Sequence, residues 1–333
     1  MKILLAYNLK KNDEDKPPDY FSECDSEETV NAIAGALRKR GHSVEMIDAE
    51  KSNLIKYFGA NRVDMVFNIA EGLFGKLRES QVPALLDHLR VPYTGSGSFP
   101  LALALNKALT KKILKAEGIP TPNFQLFFSG SEEPSPELRF PLIVKPNREG
   151  SGKGINISSV VNNREDLLRK VREIIELYKQ EALAEEFIQG RELTVGILEK
   201  GRIEILPILE IDFSGCLKSG EYFYSWRMKE FQGDYGLGLV PSFHCPARLD
   251  EKTSARVKET ALKTHQALGC FDISRTDIRL SCDGTPFVLE INPLPGLNPR
   301  ESNFSMMAYA AGLKYEELID TILMSAVARR RAN

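Results

Sequence analysis

The stretch RTDIRLSCDGTPFVLEINPLPGLN, residues 275–298, decides the fold that we predict for this chain. Runs of strand-forming residues at 275–280 and 286–291 flank the turn residues Asp283 and Gly284, a pattern that predicts an antiparallel hairpin. The Pro- and Gly-rich ending from Asn292 to Pro299 predicts a rigid, sharply turned loop that can present backbone amides. We start from this hairpin and then take the predictions for the other segments.

Acidic and amide side chains on this hairpin are spaced as a metal site requires. Residues two apart on a strand point to the same face, so Glu290 and Asn292 should face one way and the apolar Leu289 and Ile291 the other. Asp277 on the first strand adds a third oxygen ligand, and such ligands suit Mg²⁺ that is shared with substrate phosphates. The alternative is that Glu290 and Asn292 form the solvent face of a half-buried strand.

Composition excludes several classes of protein. At 333 residues, 42% hydrophobic and 27% charged, the chain is globular and long enough for two or three domains. A net charge of -2 gives no field that would attract nucleic acid. The five cysteines form no Cys-x-x-Cys pair, which argues against a disulfide framework and a zinc site and is typical of a reducing cytosol. Without a signal peptide or a membrane-spanning run, the sequence predicts a soluble cytoplasmic protein with no membrane partner.

The first hundred residues alternate between strand and helix patterns. Strands at 2–7, 44–47 and 63–69 and helices from Ser26 and over 81–89 predict a doubly wound parallel sheet. Ligands bind such sheets at the carboxyl ends of the strands, so the loop Glu71-Gly72 is a candidate site. A dehydrogenase is argued against, because no Gly-x-Gly-x-x-Gly follows the first strand.

A glycine-rich loop at residues 146–154 is the main feature of the central region. A break at residues 118–122 predicts entry into a second domain, after one helix from Leu101 that carries Lys107 and Lys111. The loop joins predicted strands at 142–145 and 155–161, so it is not a Walker loop, which must open a helix. Its free amides could still fold over phosphates. The alternative is a long hairpin loop without a ligand.

The C-terminal part continues with strands and a long aromatic stretch. Strands are predicted at 182–187, 193–198 and 202–211. Residues 220–241 are predicted to be irregular, and a loop of that length inside a domain is typical of a lid or a binding loop. The alternative, a disordered insert, fits less well with its aromatic residues.

These features together resemble the ATP-grasp superfamily and, within it, the D-alanine–D-alanine ligase family, over nearly the whole chain. The resemblance rests on Asn106-Lys107, Val144-Lys145-Pro146, Arg148-Glu149-Gly150-Ser151, Glu185-Glu186-Phe187-Ile188, Glu192, Arg275-x-Asp277, Glu290-Ile291-Asn292 and Pro295-Gly296. It implies a three-domain α/β fold in which an N-terminal doubly wound domain (1–100) precedes two α+β subdomains (101–190 and 191–333) that clasp ATP. It also implies a homodimer.

The resemblance gives each matched residue an expected role. ATP binding falls to Lys107, Lys145, Gly150, Ser151, Glu185, Phe187, Ile188, Glu192 and Lys229. Magnesium, or manganese in its place, would be held by Asp277, Glu290 and Asn292. Catalytic roles fall to Arg275 and the amide of Gly296, which would stabilise an oxyanion, and to Ser151 and Lys229 in the loops that cover the phosphates.

The activity implied is that of an ATP-dependent carboxylate–amine ligase. Such enzymes pass the terminal phosphoryl group of ATP to a substrate carboxylate, and an amine then attacks the acylphosphate; closure of the lid excludes water. The expected partners are small molecules, namely amino acids or a related carboxylate and amine. Two alternatives stay open: a nucleotide-binding module without turnover that acts through a partner, and a ligase for amino acids other than D-alanine.

The sequence departs from the family pattern mainly around the substrates. The glutamate that meets the first amino group has two candidates, Glu23 and Glu28, because residues 7–25 lack the family's glycine-rich turn. A family histidine is replaced by Glu71, and the tyrosine after the lid lysine by Glu230. The Ser-Leu pair that would hold the second substrate's carboxylate is Glu301-Ser302, preceded by Arg300.

Overall fold

Three separate β-sheets form the framework of the protein. The computed structural model describes residues 1–11 and 13–332, without the side chains of residues 331 and 332. The sheets contain three, four and six strands, and each is built from a different part of the chain. Within the described residues, no helix has the length and apolar character needed to cross a membrane.

The first sheet is parallel, as predicted. Its strands are β1 (Lys2–Tyr7), β2 (Ser43–Asp48) and β3 (Met65–Asn68), in the order β2-β1-β3, and its helices are α1 (Glu27–Lys39), α2 (Asn53–Ala60) and α3 (Arg78–Leu89). Ile3 and Leu5 share a core with α1, whereas Leu4 and Ala6 share one with α2 and α3. Because alternate residues of a strand point to opposite faces, β1 is buried on both sides. Helix α2 was not predicted.

Two helices, rather than the single one predicted from Leu101, lead into the second sheet. They are α4 (Ser98–Leu105) and α5 (Lys107–Ala116). Asn106 separates them with extended backbone, and its side-chain oxygen caps α5 by accepting a hydrogen bond from the Leu109 N–H at 3.1 Å. The break places Lys107 at the first position of α5.

The second sheet is antiparallel and carries the glycine-rich loop. Its strands are β4 (Phe124–Phe127), β5 (Leu142–Pro146), β6 (Val160–Val161) and β7 (Ala182–Glu186), in the order β4-β7-β5-β6, and α6 (Arg164–Tyr178) covers it. The strand predicted at 155–161 was too long, because residues 157–159 form a 3₁₀ turn. The loop therefore connects two strands, as predicted.

The third sheet contains the hairpin and is also antiparallel. Its strands are β8 (Gly190–Glu199), β9 (Ile203–Ile205), β10 (Leu209–Asp212), β11 (Ser242–His244), β12 (Ile273–Ser281) and β13 (Pro286–Asn292), and its helices are α7 (Trp226–Glu230), α8 (Glu251–Ala267), α9 (Asn303–Ala310) and α10 (Tyr315–Ala332). The path is β11-β10-β8-β12-β13, with β9 paired to β8. The strand predicted at 202–211 is two strands, with Pro207, which has no N–H to donate, between them. The predicted irregular stretch 220–241 contains the short helix α7.

The register of β12 and β13 determines which side chains meet. Asp277 lies opposite Glu290, and the pairing then shifts so that Ile278 lies opposite Val288. This β-bulge leaves Leu289 without a partner on β12. Val288 and Ile291 both enter the core, while Leu289 lines the cavity described below. The prediction that Leu289 and Ile291 share a face was therefore wrong.

Ser26→Ala should lower the free energy of unfolding by about 1 kcal/mol, because it removes the side-chain cap of α1. Ser26 Oγ accepts a hydrogen bond from the Thr29 N–H at 3.2 Å. Ser52 is the matched control, since it precedes α2 without a side-chain cap bond; Ser52→Ala should change the free energy by less than about 0.5 kcal/mol. Urea unfolding of the two variants measures both values. Equal losses would contradict this assignment of the cap.

Candidate active site

One cavity of about 590 Å³ brings together residues from all three sheets or their loops. Every site residue predicted from the sequence lines this cavity except Glu28 and Arg300. Those two form an ion pair of 3.3 Å with exposed side chains, away from the cavity lining. Of these candidates the structure brings Glu23 into the cavity lining, and it leaves Glu28 and Arg300 outside.

The predicted metal ligands lie together on one face of the hairpin. The Asn292 amide donates a hydrogen bond to Asp277 Oδ2 at 3.1 Å, and Glu290 lies opposite Asp277. Arg275 binds both oxygens of Asp277, at 2.9 and 2.7 Å. Thr194 on β8 donates to Asp277 Oδ1 at 2.6 Å. The strand face is therefore an ordered set of oxygens rather than a solvated surface.

Positive side chains already surround these oxygens. Lys107 Nζ lies 3.1 Å from Glu290 Oε2. Burial raises the pKa of Glu290, but Lys107, Lys145 and Arg275 outweigh burial and hold its pKa at about 2. Glu290 is therefore ionised at neutral pH. Hard, ionised carboxylate oxygens are the ligand type that Mg²⁺ prefers.

The two predicted phosphate lysines belong to a buried network that includes a third lysine. Lys145 Nζ donates to Glu185 Oε1 at 2.5 Å, and Lys111 Nζ lies 2.7 Å from Glu185 Oε2. Burial and the charge of Lys145 lower the pKa of Lys111 to about 8, against the opposing effect of Glu185. Lys107 Nζ donates to the Glu149 carbonyl at 2.5 Å. Lys111 was noticed in the sequence but given no role, because its contact with Glu185 joins segments far apart in the chain.

Three of the predicted ATP-binding residues, Phe187, Ile188 and Glu192, are joined by Arg279. Arg279 pairs with Glu192 at 2.9 Å and donates to the Ile188 carbonyl at 3.0 Å. Its guanidinium also lies 5.0 Å from the centre of the Phe187 ring. Leu289, exposed to the cavity by the bulge, adds apolar surface. Aromatic and apolar groups beside a carboxylate suit a base and its sugar.

The glycine-rich loop and the lid meet over the cavity. Lys229 Nζ donates a hydrogen bond to Ser151 Oγ at 2.8 Å. A Cβ atom on Gly152 would lie 2.7 Å from the Trp226 N, and the φ of Gly152 is +69°, so only glycine fits this approach. Ser151 itself has a φ of +53°. The loop and the lid thus cover one another in this structure.

Glu23 ties the N-terminal segment to the glycine-rich loop. Its Oε1 accepts hydrogen bonds from Arg78 at 2.6 Å and from the Gly150 N–H at 2.5 Å. Burial raises the pKa of Glu23, but Arg78 and Lys153 outweigh burial and lower it below the ordinary value. Arg78 also donates to the Arg148 carbonyl at 2.7 Å. Glu23 is therefore ionised, and Arg78 and the Gly150 N–H both donate hydrogen bonds to its carboxylate.

Three further carboxyls near Glu23 have raised pKa values, whereas the pKa of Glu23 is lowered. Burial and the neighbouring Glu23 and Glu79 raise the pKa of Glu71 well above its ordinary value. Burial, against the attraction of Lys229, raises the pKa of Asp25 to about 7. Burial also raises the pKa of Glu79 to about 7. One oxygen each from Glu23, Glu71 and Glu79 lie within 4.8 Å of one another.

Asp25 and Glu79 were missed by the sequence analysis. Asp25 directly precedes the cap Ser26 and lies two residues after Glu23, and this closeness in the sequence was the available signal. Glu79 lies in the first turn of α3, which begins three residues before the predicted helix start. Both residues line the cavity.

The remaining predicted substrate residues border the cavity near the end of the hairpin. Glu230 pairs with Lys10 at 2.8 Å, and Ser302 Oγ accepts a hydrogen bond from the Asn298 N–H at 2.8 Å. A Cβ atom on Gly296 would lie 3.1 Å from Ser302 Oγ, so the Gly296 backbone lies close to this serine. Glu301 is exposed and lines the cavity.

Comparison with known proteins agrees with this geometry. The family model described as D-ala D-ala ligase C-terminus matches residues 113–324. The chain is 35% identical over 312 residues to the uncharacterized protein y4sG of Sinorhizobium fredii, covering 91% of this chain and 88% of that protein. It is 35% identical over 313 residues to the D-alanine–D-alanine ligase of Carboxydothermus hydrogenoformans, covering 91% of this chain and 94% of that one.

Solved structures show the same likeness over the whole chain. The D-alanine–D-alanine ligase of Bacillus anthracis, in its crystal structure complexed with ATP, matches with a TM-score of 0.76 and 25% sequence identity, covering 100% of this chain and 99% of that one. The mixed sheets described above agree with that fold. The chain therefore belongs to the D-alanine–D-alanine ligase family of ATP-grasp proteins, which are ATP-dependent ligases that form a carbon–nitrogen bond.

Proposed function

We propose that this protein joins a carboxylate substrate to an amine through an acylphosphate, at the expense of ATP. The observation that carries the proposal is the single cavity in which the hairpin face, with Asp277 and Glu290, lies beside Lys107 and Lys145 and beneath the lid residue Lys229. Acids, lysines and a cover are the parts that phosphoryl transfer to a carboxylate requires. The departures around Glu71 and Glu301 leave the substrate pair open, with D-alanine as one candidate among amino acids, carboxylates and amines.

The first step depends on charge neutralisation. We infer that Lys107, Lys145 and Lys229 contact anionic phosphate oxygens as point charges; Lys107 and Lys145 are buried, and Lys229 is an exposed residue that lines the cavity. Asp277, Glu290 and Asn292 would hold Mg²⁺, or Mn²⁺ in its place, which when bound neutralises phosphate charge. The transfer breaks the bond between the terminal phosphorus and its bridging oxygen and forms one to a carboxylate oxygen.

The second step uses the other end of the same hairpin. Arg275 and the Gly296 N–H are proposed to stabilise the oxyanion that forms when the amine attacks the acyl carbon. Collapse of this intermediate breaks the acyl carbon–oxygen bond, phosphate leaves and the amine loses a proton. The contact between Lys229 and Ser151 keeps water from hydrolysing the acylphosphate.

We also propose the wider setting of the protein. The chain would divide into domains at residues 1–100, 101–190 and 191–333 and act as a cytoplasmic homodimer without nucleic-acid or membrane partners. Within the described residues all five cysteines are free, which supports a reducing compartment. The net charge of -2 gives no attraction to nucleic acid.

The direct test of the activity is ADP release from ATP and Mg²⁺ in the presence of a panel of carboxylates and amines, with mass detection of the joined product. We expect ADP and phosphate in equal amounts, together with an amide. A broad panel that yields no ADP would contradict the proposal.

Asp277→Asn should lower kcat at least about 100-fold, because one charge of the proposed metal site stabilises the transferred phosphoryl group by several kcal/mol. Asp283→Asn is the matched control, since Asp283 lies on the same hairpin but at its turn, outside the cavity lining. The control should keep kcat within about 2-fold. Steady-state ADP release at several Mg²⁺ concentrations measures both variants. Equal rates of ADP release in the two variants would show that Asp277 is not part of the proposed metal site.

Lys229→Ala should uncouple the two steps. Without the contact to Ser151 the lid closes poorly, and water competes with the amine for the acylphosphate. We expect kcat to fall by no more than about 10-fold. More phosphate should be released than amide formed. Lys218→Ala, two residues before the same stretch and bonded to the Gly236 carbonyl, should leave the ratio of phosphate to amide at one. A ratio of one in Lys229→Ala as well would argue against its role in closure.

A further inference from the structure

Arg78 connects helix α3 of the N-terminal part to the glycine-rich loop. It is the first residue of α3, and only 6% of its surface is exposed. Arg78, Val82 and Leu86 recur at every fourth position and are all buried, so they share one face of the helix. Val82 and Leu86 pack in the core that α3 shares with β1. The guanidinium of Arg78 is therefore carried by a helix whose buried face is fixed in the N-terminal core.

The hydrogen bonds and ion pairs of the Arg78 side chain, within the described residues, go to the loop and to Glu23. Its Nη1 donates to the Arg148 carbonyl at 2.7 Å, and its Nη2 donates to Glu23 Oε1 at 2.6 Å. Nη2 also lies 3.5 Å from Glu149 Oε2. Glu23 Oε1 in turn accepts a hydrogen bond from the Gly150 N–H at 2.5 Å. Arg78 thus acts, directly or through Glu23, on three successive residues of the loop.

The loop residues held in this way come immediately before the residue that meets the lid. A Cβ atom on Gly150 would lie 2.6 Å from Glu23 Oε1, so a larger residue there would have to displace the Glu23 carboxylate. The next residue, Ser151, accepts the hydrogen bond from Lys229 of the lid. A shift of the backbone at residues 148–150 would therefore move Ser151 relative to Lys229.

Arg78 itself lies outside the lining of the active-site cavity. It lines a neighbouring cavity of about 500 Å³, and Glu23 and Glu149 line both cavities. A nucleotide in the active-site cavity would therefore not compete for the Arg78 guanidinium. Lys107 differs in this respect, because it donates to the Glu149 carbonyl at 2.5 Å but also lines the active-site cavity. Arg78 can hold the loop both before and after ATP binds.

A second link between the same parts of the chain leaves the loop untouched. Lys76, two residues before Arg78, pairs at 2.9 Å with Glu181, which directly precedes β7 of the second sheet. The Lys76 side chain is 63% exposed, so this pair should contribute little. Among the described residues, Lys76 forms no hydrogen bond or ion pair with residues 146–154. The buried, charge-assisted bonds of Arg78 are of the stronger kind.

We propose that Arg78 is a positioning residue of this ligase, which together with Glu23 holds the glycine-rich loop in the conformation that covers the phosphates of ATP. The inference rests on the function proposed above, since that function assigns the loop to the phosphates. A loop that is held in advance does not have to be ordered when ATP binds. Without this hold, the apparent affinity for ATP falls with the fraction of molecules in which the loop is in place.

Arg78→Lys tests the inference. Lysine keeps a positive charge opposite Glu23, so the variant should fold, but a single ammonium cannot reproduce the fork of bonds to Glu23 and the Arg148 carbonyl. We expect the Kd for ATP, measured by calorimetry with Mg²⁺ and no other substrate, to rise at least about 5-fold. The kcat at saturating ATP should fall by less than about 3-fold, because the loop is in place once ATP is bound.

Hydrogen exchange provides a measurement that does not depend on activity. In Arg78→Lys, amide exchange in residues 147–154 should become faster, while exchange in α3 should stay unchanged. Lys76→Met is the matched control, since it removes the exposed link and leaves the loop contacts intact. The control should keep the Kd for ATP within about 2-fold and leave exchange in the loop unchanged.

The possible results separate the inference from the proposed ligase activity. A raised Kd with faster loop exchange in Arg78→Lys, but not in Lys76→Met, supports the positioning role. Wild-type ATP affinity in Arg78→Lys would overturn it, because charge alone would then suffice, and equal effects of the two variants would reduce Arg78 to a docking contact. If the wild-type protein binds ATP but releases no ADP with any substrate, the ligase proposal fails, while ATP binding and hydrogen exchange still decide the role of Arg78.

Discussion

The cross-strand pairing of β12 with β13 is the constraint on which the rest of the site depends. Because side chains alternate along a strand, a slip of one residue would turn Asp277 and Glu290 to opposite faces. The pairing of β12 with β8 over nine residues fixes the first strand, and the bulge after Asp277 then brings Val288 and Ile291 into the core together. The core therefore determines the position of the acids.

Charge balance follows from this geometry. Glu290 is ionised because three cations surround it, and the lysines are tolerated in buried positions because Glu185 and Glu290 accept their charge. The N-terminal side lacks this balance, since Asp25, Glu71 and Glu79 have raised pKa values. The cavity thus differs between the hairpin side, where the carboxylates of Glu290 and Asp277 contact cations, and the N-terminal side, where the carboxyls of Asp25, Glu71 and Glu79 do not.

The sequence was informative where periodicity or local chemistry determines structure. Alternation predicted the hairpin and the shared face of Glu290 and Asn292, and the cap at Ser26 was visible as a local motif. The bulge at Leu289 escaped prediction because alternation gives no sign of an inserted residue. The partners of Lys111 and Glu23 escaped it because their contacts join segments 74 and 55 residues apart, which packing alone determines. These contacts between distant segments were therefore the least predictable part of the site.

The central claim is that the carboxylate is activated as an acylphosphate on this hairpin. If it is, an oxygen of the carboxylate must leave with phosphorus when the amine attacks. Turnover with a substrate whose carboxylate carries ¹⁸O in both positions, followed by mass analysis of the phosphate, measures that transfer directly. The account predicts one ¹⁸O atom in each phosphate released. Phosphate without ¹⁸O, alongside labelled amide, would contradict it.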